Sequence, residues 1–513
     1  MRKYITYSVL LVISTLIAIV YVSLGWMNQI SSLGGDSAGY LLAAHYYSPY
    51  QPPNDVISTY GKQIFYPPLF PIILALLGGG DHIIAAHETV IAFLLIAMGL
   101  LYLWARAEKL SVPVSSGIVM IFALMPATYL TSFPVWTENP YLMFSLLAVV
   151  ALARETPSER MWLLAAVAVS AALLIRIAAL PLGFAFIAYL LWRRPPRIFL
   201  LAGIALLPFT LWMIANTTMD TGAGVYFSHL QGKYHDNPLG FFVAQLWVES
   251  KALLDAWRYA WLGDAPTSVS KLIVYAFGIF ALVGWLARLR MLKFDSIYVA
   301  AYLIVLLVWP HPEEALRYSY VLFPLLLLYG FLALLRFPAM IANPRAHVVA
   351  SIGTFALLAI SMAPTLMLNI RYYTQELSEE YSDNKHTAEW YSSDRRQAEA
   401  QAIFRTRLLH HLATLSSQVA VKDCVFAIKP TIVTLYTQRT SHASPISFKS
   451  DDEFWKETAK CRYVYVLPFA SPSYHQAFYP LSRLGPRAKL VSEQRMTEDK
   501  HSPLVGALYE ISR

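Results

Sequence analysis

Acidic and basic residues stand in the polar segments that separate long apolar runs of this chain. Asp36 lies in GGDSAGY after the first apolar run, and Glu138 lies in TSFPVWTENPY after a later one. A carboxylate is a suitable general base for removing a proton from an acceptor hydroxyl or amine. Arg and Lys side chains in the other polar segments suit an oxyanion or a phosphate. These residue types favour either a transferase with a phosphate-linked donor or a transporter with a polar site, and they do not separate the two.

Each candidate also has an ordinary structural explanation. Asp36 between glycines suits a turn, and Glu138 suits the first turn of a helix. Arg176, in the middle of an apolar block, would be able to snorkel to the membrane interface. Arg317 would be able to pair with the acidic residues three and four positions before it.

Composition identifies the class of protein that must position these residues. Of the 513 residues, 57% are hydrophobic and 14% are charged, whereas soluble domains carry roughly 25% charged residues. The apolar residues form long blocks, which is typical of a polytopic α-helical membrane protein. The net charge of +8 arises mostly in short loops between these blocks, so it reports topology and does not indicate a nucleic-acid partner.

The basic loops set the orientation of the spans. By the positive-inside rule, the loops around 193–197, 288–293 and 336–347 are cytoplasmic. The first apolar block is too long for a signal-peptide core, so we expect an uncleaved first span. The ~20-residue criterion gives about eleven spans. The spans are placed near 4–26, 83–104, 111–131, 137–153, 161–192 as two shorter helices meeting at Arg176, 198–218, 268–287, 294–310, 318–336 and 347–368.

Two further segments complete the membrane region, which we assign to residues 1–370. Residues 27–82 form a first outer loop with juxtamembrane helices, in which 67–80 does not cross the membrane completely. Residues 219–267 form a second outer loop. Together the outer loops bring polar side chains to one side of the membrane, where a functional cavity is expected.

The composition changes near residue 371. The stretch 374–411 has a helical pattern, and four short β-like runs follow, which are VAVKDCVFAI, TIVTLYT, CRYVYVLPF and LVGALYEIS. We therefore expect a soluble α/β domain over 371–513 on the extracytoplasmic side. Both cysteines of the chain, Cys424 and Cys461, lie in it. They form either a disulfide, which an oxidising compartment would preserve, or two buried thiols.

Several of these residues resemble the motifs of a known superfamily. Asp36 and Tyr40 match the D and Y of a D-E-x-x-Y motif in the first outer loop of GT-C polytopic glycosyltransferases. Tyr66-Pro67-Pro68-Leu69 is similar to their K-P-P-L element, with Tyr in place of Lys. Glu138 matches a second acid after span three, Arg176 resembles a recurrent arginine, and Arg317-Tyr318 resembles a late R-Y-x-x-P element. The pattern is most similar to the branch of protein O-mannosyltransferases and the lipid A aminoarabinose transferase.

The resemblance implies a function and a set of site residues. It implies a bacterial inner-membrane enzyme that transfers a sugar, with inversion, from a polyprenyl-phosphate donor to a glycan, lipid or protein acceptor. The C-terminal domain would be periplasmic. Asp36 and Glu138 would be the catalytic residues. The residues that would bind donor phosphate or substrate are Tyr40, Lys62, Tyr66, Arg176, Arg317 and Tyr318.

Departures from the family pattern leave some points open. Ser37 stands where the family pair often has Glu, which puts in doubt a Mg²⁺ or Mn²⁺ site on Asp36 and Glu138. Lys62 is a candidate replacement for the missing lysine. The alternative functions are a lipid-linked glycan polymerase or ligase and a polyprenyl-linked sugar flippase or transporter.

Overall fold

The computed structural model describes residues 2–27, 35–61, 66–218, 238–309, 311–336, 344–374, 395–443, 452–453, 456, 459–467 and 485–512. Their contacts divide the chain into two compact units. The first unit comprises residues 1–26, 63–70 and 87–371, and the second comprises 27–62, 71–86 and 372–513. The second unit thus combines parts of the first outer loop with the C-terminal region. The sequence-based boundary at residue 370 stays a prediction.

Long helices account for most of the described chain. In chain order they are α1 (Arg2–Met27), α2 (Gly35–Tyr46), α3 (Asp55–Gly61), α4 (Leu69–Leu76), α5 (Ile83–Ala107), α6 (Val112–Leu124), α7 (Pro126–Ser132), α8 (Glu138–Ala151), α9 (Glu159–Ile175), α10 (Leu180–Arg193), α11 (Ile198–Thr218), α12 (Pro238–Leu262), α13 (Ser268–Arg290), α14 (Phe294–Val308), α15 (Ala315–Ser319), α16 (Phe323–Leu335), α17 (Pro344–Thr374), α18 (Arg395–Gln418) and α19 (Pro430–Thr437). Short 3₁₀ turns occupy Ile177–Ala179, Pro312–Glu314, Tyr320–Leu322 and Gly485–Arg487.

Within the described part of the chain, five helices are long and apolar enough to cross a membrane, or six if the bent pair α6–α7 is one span. The five are Ile83–Ala107, Ile198–Asn216, Ser268–Arg290, Pro312–Leu335 and Val349–Leu368. Shorter apolar helices cover Val12–Trp26, Glu138–Ala151, Ile177–Arg193 and Phe294–Val308. The helical membrane character is confirmed, whereas the number of about eleven spans is not.

Three predicted segments are resolved in detail. The block 161–192 is divided at Arg176, whose backbone is extended between α9 and α10 (φ −156°, ψ 144°), as the sequence predicted. The segment 67–80 contains only the eight-residue α4, about 12 Å long at 1.5 Å per residue and too short to cross a bilayer. The predicted span 111–131 is bent in the structure, since α6 and α7 meet at an angle of 60°. Met125 precedes Pro126 and has the extended backbone (ψ 130°) that proline imposes on its predecessor.

The helices of the first unit pack through small residues and aromatic rings. α8 lies against α9, α10 against α14, α12 against α7 and α15, and α13 against α16. Gly284 of α13 faces the backbone of Tyr329 in α16 so closely that a Cβ would not fit. Close helix approach at glycine is the ordinary way in which membrane helices associate.

The C-terminal part of the second unit contains a five-stranded mixed sheet. Its strands are β1 (Val425–Ala427), β2 (Ser441–Ala443), β3 (Tyr463–Val466), β4 (Ala488–Arg495) and β5 (Leu504–Ile511). Their order is β2-β1-β3-β5-β4, in which β1 pairs in parallel with β2 and β3, and β5 pairs antiparallel with β3 and β4. Helix α18 packs against β4 and β5, so this region is α/β as expected.

One of the predicted β-like runs is wrong. TIVTLYT forms helix α19, with Pro430 in its first turn. Since β1 and β2 are parallel neighbours, the chain must cross over between them, and parallel strands are usually joined by a helix. The tertiary arrangement overrides the strand preference of the β-branched residues.

The two cysteines form a disulfide, Cys424–Cys461. Cys424 immediately precedes β1, and Cys461 lies two residues before β3, the parallel neighbour of β1. The bridge therefore fixes the beginnings of two central strands.

Candidate active site

A buried ionic cluster lies in the first unit, formed by Glu138, Arg176 and Arg317. Glu138 is the first residue of α8 and is completely buried. An N-terminal first turn favours a carboxylate electrostatically. Nη1 of Arg176 and Nε of Arg317 both donate to Oε1 of Glu138, at 3.0 and 2.7 Å. We call these three residues the arginine–glutamate cluster.

The break between α9 and α10 positions Arg176. Its extended backbone interrupts what would otherwise be one apolar helix. Arg176 therefore lies at the break between the two helices, and it is buried there. The guanidinium lies 5.6 Å from the ring centre of Tyr141 and 5.7 Å from that of Tyr318. Aromatic faces at this distance stabilise a desolvated cation.

Arg317 is the more accessible of the two arginines. It lies in the short helix α15, and its guanidinium is 4.3 Å from the ring centre of Trp136. Its Nη1 is 3.7 Å from Oε2 of Glu314, whose side chain is half-exposed. Arg317 therefore links the buried carboxylate of Glu138 to the half-exposed carboxylate of Glu314.

The cluster contains groups that suit an anion. Two guanidinium groups meet in its buried part around the carboxylate of Glu138, and the half-exposed Glu314 pairs with Arg317 beside it. Within the described residues, Oε2 of Glu138 is buried and has no hydrogen-bond partner. Arginine is the usual residue for a phosphate, because its planar guanidinium presents several donors in a fixed geometry.

Tyrosine hydroxyls surround the cluster. Tyr141 and Tyr298 share a hydrogen bond of 2.7 Å between their hydroxyls, and Tyr302 donates to the backbone carbonyl of Tyr318 at 3.1 Å. Tyr320 donates to Oδ1 of Asn139 at 2.9 Å. These contacts fix the helices around Glu138 with polar groups that are satisfied, as burial requires.

Asp36 and Tyr40 lie in the second unit. Asp36 is in the first turn of α2 and is partly buried, and Tyr40 lies one turn later and is buried. Burial, together with the nearby Asp36 carboxylate, raises the pKa of Tyr60 in α3. The carboxylate is thus held in a protein environment and is not merely part of an exposed turn.

The sequence-predicted site residues therefore divide between the two units. Glu138, Arg176 and Arg317 contact one another, with Tyr318 beside both arginines. Tyr66 is buried just before α4 in the first unit. Lys62 lies outside the described residues. The roles of all these residues stay predictions.

The donor set at Glu138 does not fit a divalent metal, since two guanidinium groups already occupy one of its oxygens. Among the described residues, three potential ligand side chains gather only at Cys424, His442 and Cys461. The two thiols of that group are joined in the disulfide. Accordingly, the mechanism proposed below assigns no role to Mg²⁺ or Mn²⁺ at Glu138.

Sequence reasoning missed several residues that surround the arginine–glutamate cluster. Trp136 was not among the predicted site residues, although it stands two residues before Glu138. Tyr298 and Tyr302 had a recognisable signal, because two tyrosines four residues apart in an apolar helix share a face.

A second buried ionic cluster was also missed. Arg288, interpreted as a loop marker of orientation, is buried in α13 and donates to both oxygens of Asp295 at 2.6 and 2.7 Å. Its Nη1 lies 2.8 Å from Glu108, and Tyr329 donates to Asp295 at 2.8 Å. This cluster joins α13, α14 and α16 to the residue that follows α5, and its paired charges indicate a structural role.

Comparison with known proteins supports the class of protein that the fold suggests. The family model described as dolichyl-phosphate-mannose-protein mannosyltransferase matches residues 66–215, the segment that contains Glu138 and Arg176. A comparison with curated proteins finds no match.

Solved structures of similar fold cover nearly the whole chain. ArnT from Cupriavidus metallidurans in the apo state is 11% identical with a TM-score of 0.53, over 99% of this chain and 98% of that one. The same protein bound to undecaprenyl phosphate is 12% identical with a TM-score of 0.52, over 98% and 97%. The apo oligosaccharyltransferase from Archaeoglobus fulgidus is 13% identical with a TM-score of 0.53, over 95% of this chain and 73% of that one.

The fold is therefore that of a polytopic GT-C membrane protein. The predicted resemblance to the GT-C superfamily of membrane glycosyltransferases is confirmed by the family model and by these structures together.

Proposed function

We propose that this chain is a membrane glycosyltransferase that moves a sugar from a polyprenyl-phosphate donor to a glycan, lipid or protein acceptor. The reaction takes place on the outer face of a bacterial inner membrane, with the C-terminal region in the periplasm. The observation that carries the proposal is the arginine–glutamate cluster, in which two largely buried guanidinium groups are held together beside aromatic rings. The undecaprenyl phosphate bound to ArnT supports a lipid phosphate as the ligand.

In this proposal, Arg176 and Arg317 hold the phosphate of the donor. When the bond between the anomeric carbon and the phosphate oxygen breaks, the electron pair remains on the phosphate. Fixed cations stabilise that developing charge without reorganising during the reaction. Aromatic rings against both guanidinium groups keep them in place.

Asp36 acts as the general base. It accepts the proton of the acceptor hydroxyl or amine while the acceptor attacks the anomeric carbon opposite the leaving phosphate. The new glycosidic bond therefore has the inverted configuration, and the products are the glycosylated acceptor and the polyprenyl phosphate. A carboxylate in this role contributes typically 10²–10⁴-fold to the rate.

Glu138 orients the two arginines. We propose this positioning role in place of the catalytic or metal-binding role predicted from the sequence, because its Oε1 already accepts from both guanidinium groups.

The test is turnover by the purified full chain with a panel of radiolabelled polyprenyl-phosphate sugars. Wild type, Asp36→Asn and the control Asp55→Asn are compared, with and without EDTA. Asp55 is a suitable control because it is an exposed acid in the first turn of α3, in the same loop. We expect turnover by wild type and Asp55→Asn only.

The other outcomes have defined meanings. Full turnover by Asp36→Asn would remove Asp36 from the role of base. Transport of an unchanged donor across vesicles, without sugar release, would indicate a flippase. Joining of donor-linked glycans to one another would indicate a polymerase. Loss of wild-type activity in EDTA would show that a metal is required.

A further inference from the structure

The helix that carries Asp36 is built into the C-terminal α/β region. α2 packs along α19, the crossover helix between β1 and β2. Ala38, two residues after Asp36, is completely buried and belongs to the same apolar core as Val425 of β1 and Ile432 of α19. Residues almost 400 positions apart in the sequence thus share one core.

A second contact joins the same loop, at the start of α3, to the end of α19. Oδ1 of Asn54 accepts from the backbone N–H of Ile57 at 2.9 Å and so caps the start of α3. The Nδ2 of Asn54 donates to Oε1 of Gln438 at 2.8 Å. Gln438 ends α19 with a left-handed backbone (φ 53°). The first outer loop therefore contacts α19 along α2 and again at the start of α3.

The short helix α2 needs such support. It has twelve residues, a length at which an isolated helix is marginal in water, so its position depends on what it packs against. All residues from Ser37 to Ala44 are buried, and the neighbouring helices are α3 and α19. The position of the Asp36 carboxylate consequently depends in part on the C-terminal region.

We propose that the C-terminal α/β region positions the catalytic base, Asp36. The positioning residues are Ala38, in the shared core, and Asn54, through its hydrogen bond to Gln438. This inference rests on the proposed function of Asp36 and goes beyond it. It gives the C-terminal region a part in the chemical step, because a displacement of about 1 Å at a catalytic group costs on the order of 10²-fold in rate.

Two kinds of substitution test the proposal in the full chain. Ala38→Leu adds volume where α2 meets the core and is expected to lower kcat by about 10–100-fold. Asn54→Ala removes the hydrogen bond to Gln438 and the cap of α3, a change that is too small to unfold the region, and is expected to lower kcat about fivefold. The KM and Kd for donor remain unchanged in both, since the proposed phosphate ligands lie in the other unit.

Matched controls separate positioning from general destabilisation. Val505→Ala weakens the same apolar core from strand β5, and Gln51→Ala changes an exposed side chain of the same loop. Both are expected to keep wild-type kcat. A loss of kcat in Val505→Ala as large as that in Ala38→Leu would overturn the proposal, because simple destabilisation would then explain both.

A double-mutant cycle supplies the decisive readout. Asp36→Glu moves the carboxylate by one methylene and retains partial activity. If the contact with α19 affects kcat by positioning the Asp36 carboxylate, Asn54→Ala changes kcat by a different factor in the Asp36→Glu background than in wild type. Equal factors in both backgrounds, or unchanged kcat in Ala38→Leu and Asn54→Ala, would refute positioning. Full activity of Asp36→Asn would instead refute the underlying proposed function, so the two failures are distinguishable.

Discussion

Arg176 and Arg317 share one hydrogen-bond acceptor, Oε1 of Glu138, at 3.0 and 2.7 Å. Three separate elements supply the three residues, namely the α9–α10 break, α15 and the start of α8. The carboxylate between the two guanidinium groups offsets their mutual repulsion.

Removing the shared carboxylate is expected to destabilise the protein and to make it dependent on a bound anion. Glu138→Ala removes the buried carboxylate that both guanidinium groups contact, at a cost of about 3–5 kcal/mol. Polyprenyl phosphate should then raise the unfolding temperature of the variant more than that of wild type. Thermal unfolding in detergent, with and without the lipid phosphate, measures both effects. An equal shift in the two proteins would show that the lipid binds elsewhere.

Replacing Arg317 by lysine is expected to weaken donor binding while keeping the charge. Lysine lacks the planar guanidinium that donates to Glu138 and lies against Trp136, and the two cations are not interchangeable at such a site. A loss of about 1.4 kcal/mol, which is tenfold in Kd, should appear in donor-binding titrations. Arg197→Lys is the control, since the Arg197 side chain is 70% exposed. Unchanged binding in Arg317→Lys would remove Arg317 from the donor site.

The Arg288 cluster is expected to affect stability and not chemistry. Arg288→Met leaves the buried Asp295 without its ion-pair partner and removes one of the two arginines paired with the partly buried Glu108, and it should cost about 3–5 kcal/mol. The kcat per folded molecule should be that of wild type. Arg290→Met, an exposed neighbour on the same helix, should change neither quantity. Unfolding midpoints and active-fraction kinetics test both statements, and a specific loss of kcat would assign Arg288 a functional role.

The disulfide is expected to stabilise the C-terminal region. It closes a sequence separation of 37 residues, and native disulfides typically contribute 2–4 kcal/mol. Cys424→Ser should therefore increase cleavage of the region in limited proteolysis. The double variant Cys424→Ser/Cys461→Ser should be no less stable than the single one, because the bridge is already lost. Addition of reductant to wild type should reproduce the effect, and a resistant reduced protein would contradict it.

Acid is expected to destabilise the C-terminal region through His411. Burial lowers the pKa of His411 to about 4, and its ring nitrogens contact the hydroxyls of Tyr465 and Ser492 at 2.9 and 3.2 Å. Because the folded pKa lies below the unfolded value of about 6.5, protonation favours unfolding. Stability should fall between about pH 6.5 and pH 4, by about 2 kcal/mol.

The variant His411→Gln tests this pH dependence. It removes the titrating group, so the unfolding midpoint should lose that part of its slope between pH 6.5 and 4. His410→Gln, an exposed neighbour on α18, should keep the wild-type slope. The same slope in all three proteins would assign the pH dependence to other groups.

Local physical rules explain what was predictable from the sequence. Long apolar blocks indicated membrane helices, and the charge of Arg176 at the centre of one block indicated that the helix breaks there. The predicted extracytoplasmic location of the cysteine pair favoured the bridge that the structure contains. Each of these inferences depends on a local free-energy term, such as the unfavourable free energy of placing a charge in lipid.

Non-local packing explains what was not predictable. The helix α19 replaces an expected strand because β1 and β2 are parallel, and the sequence of α19 alone does not reveal that pairing. Likewise, Arg288 looked like a loop cation until Glu108, directly after α5, and Asp295 of α14 supplied its carboxylates. Such outcomes depend on which elements meet, and many distant arrangements are compatible with one local pattern.

The sequence by itself determined the membrane class, the kind of residue available for chemistry and the break at Arg176. Only the tertiary structure decided that Glu138 accepts from two arginines and that Ala38 lies in the core of the C-terminal region. The physical reason is that composition and periodicity act over a few residues, whereas the environment of a charge is set by chain segments far away in sequence.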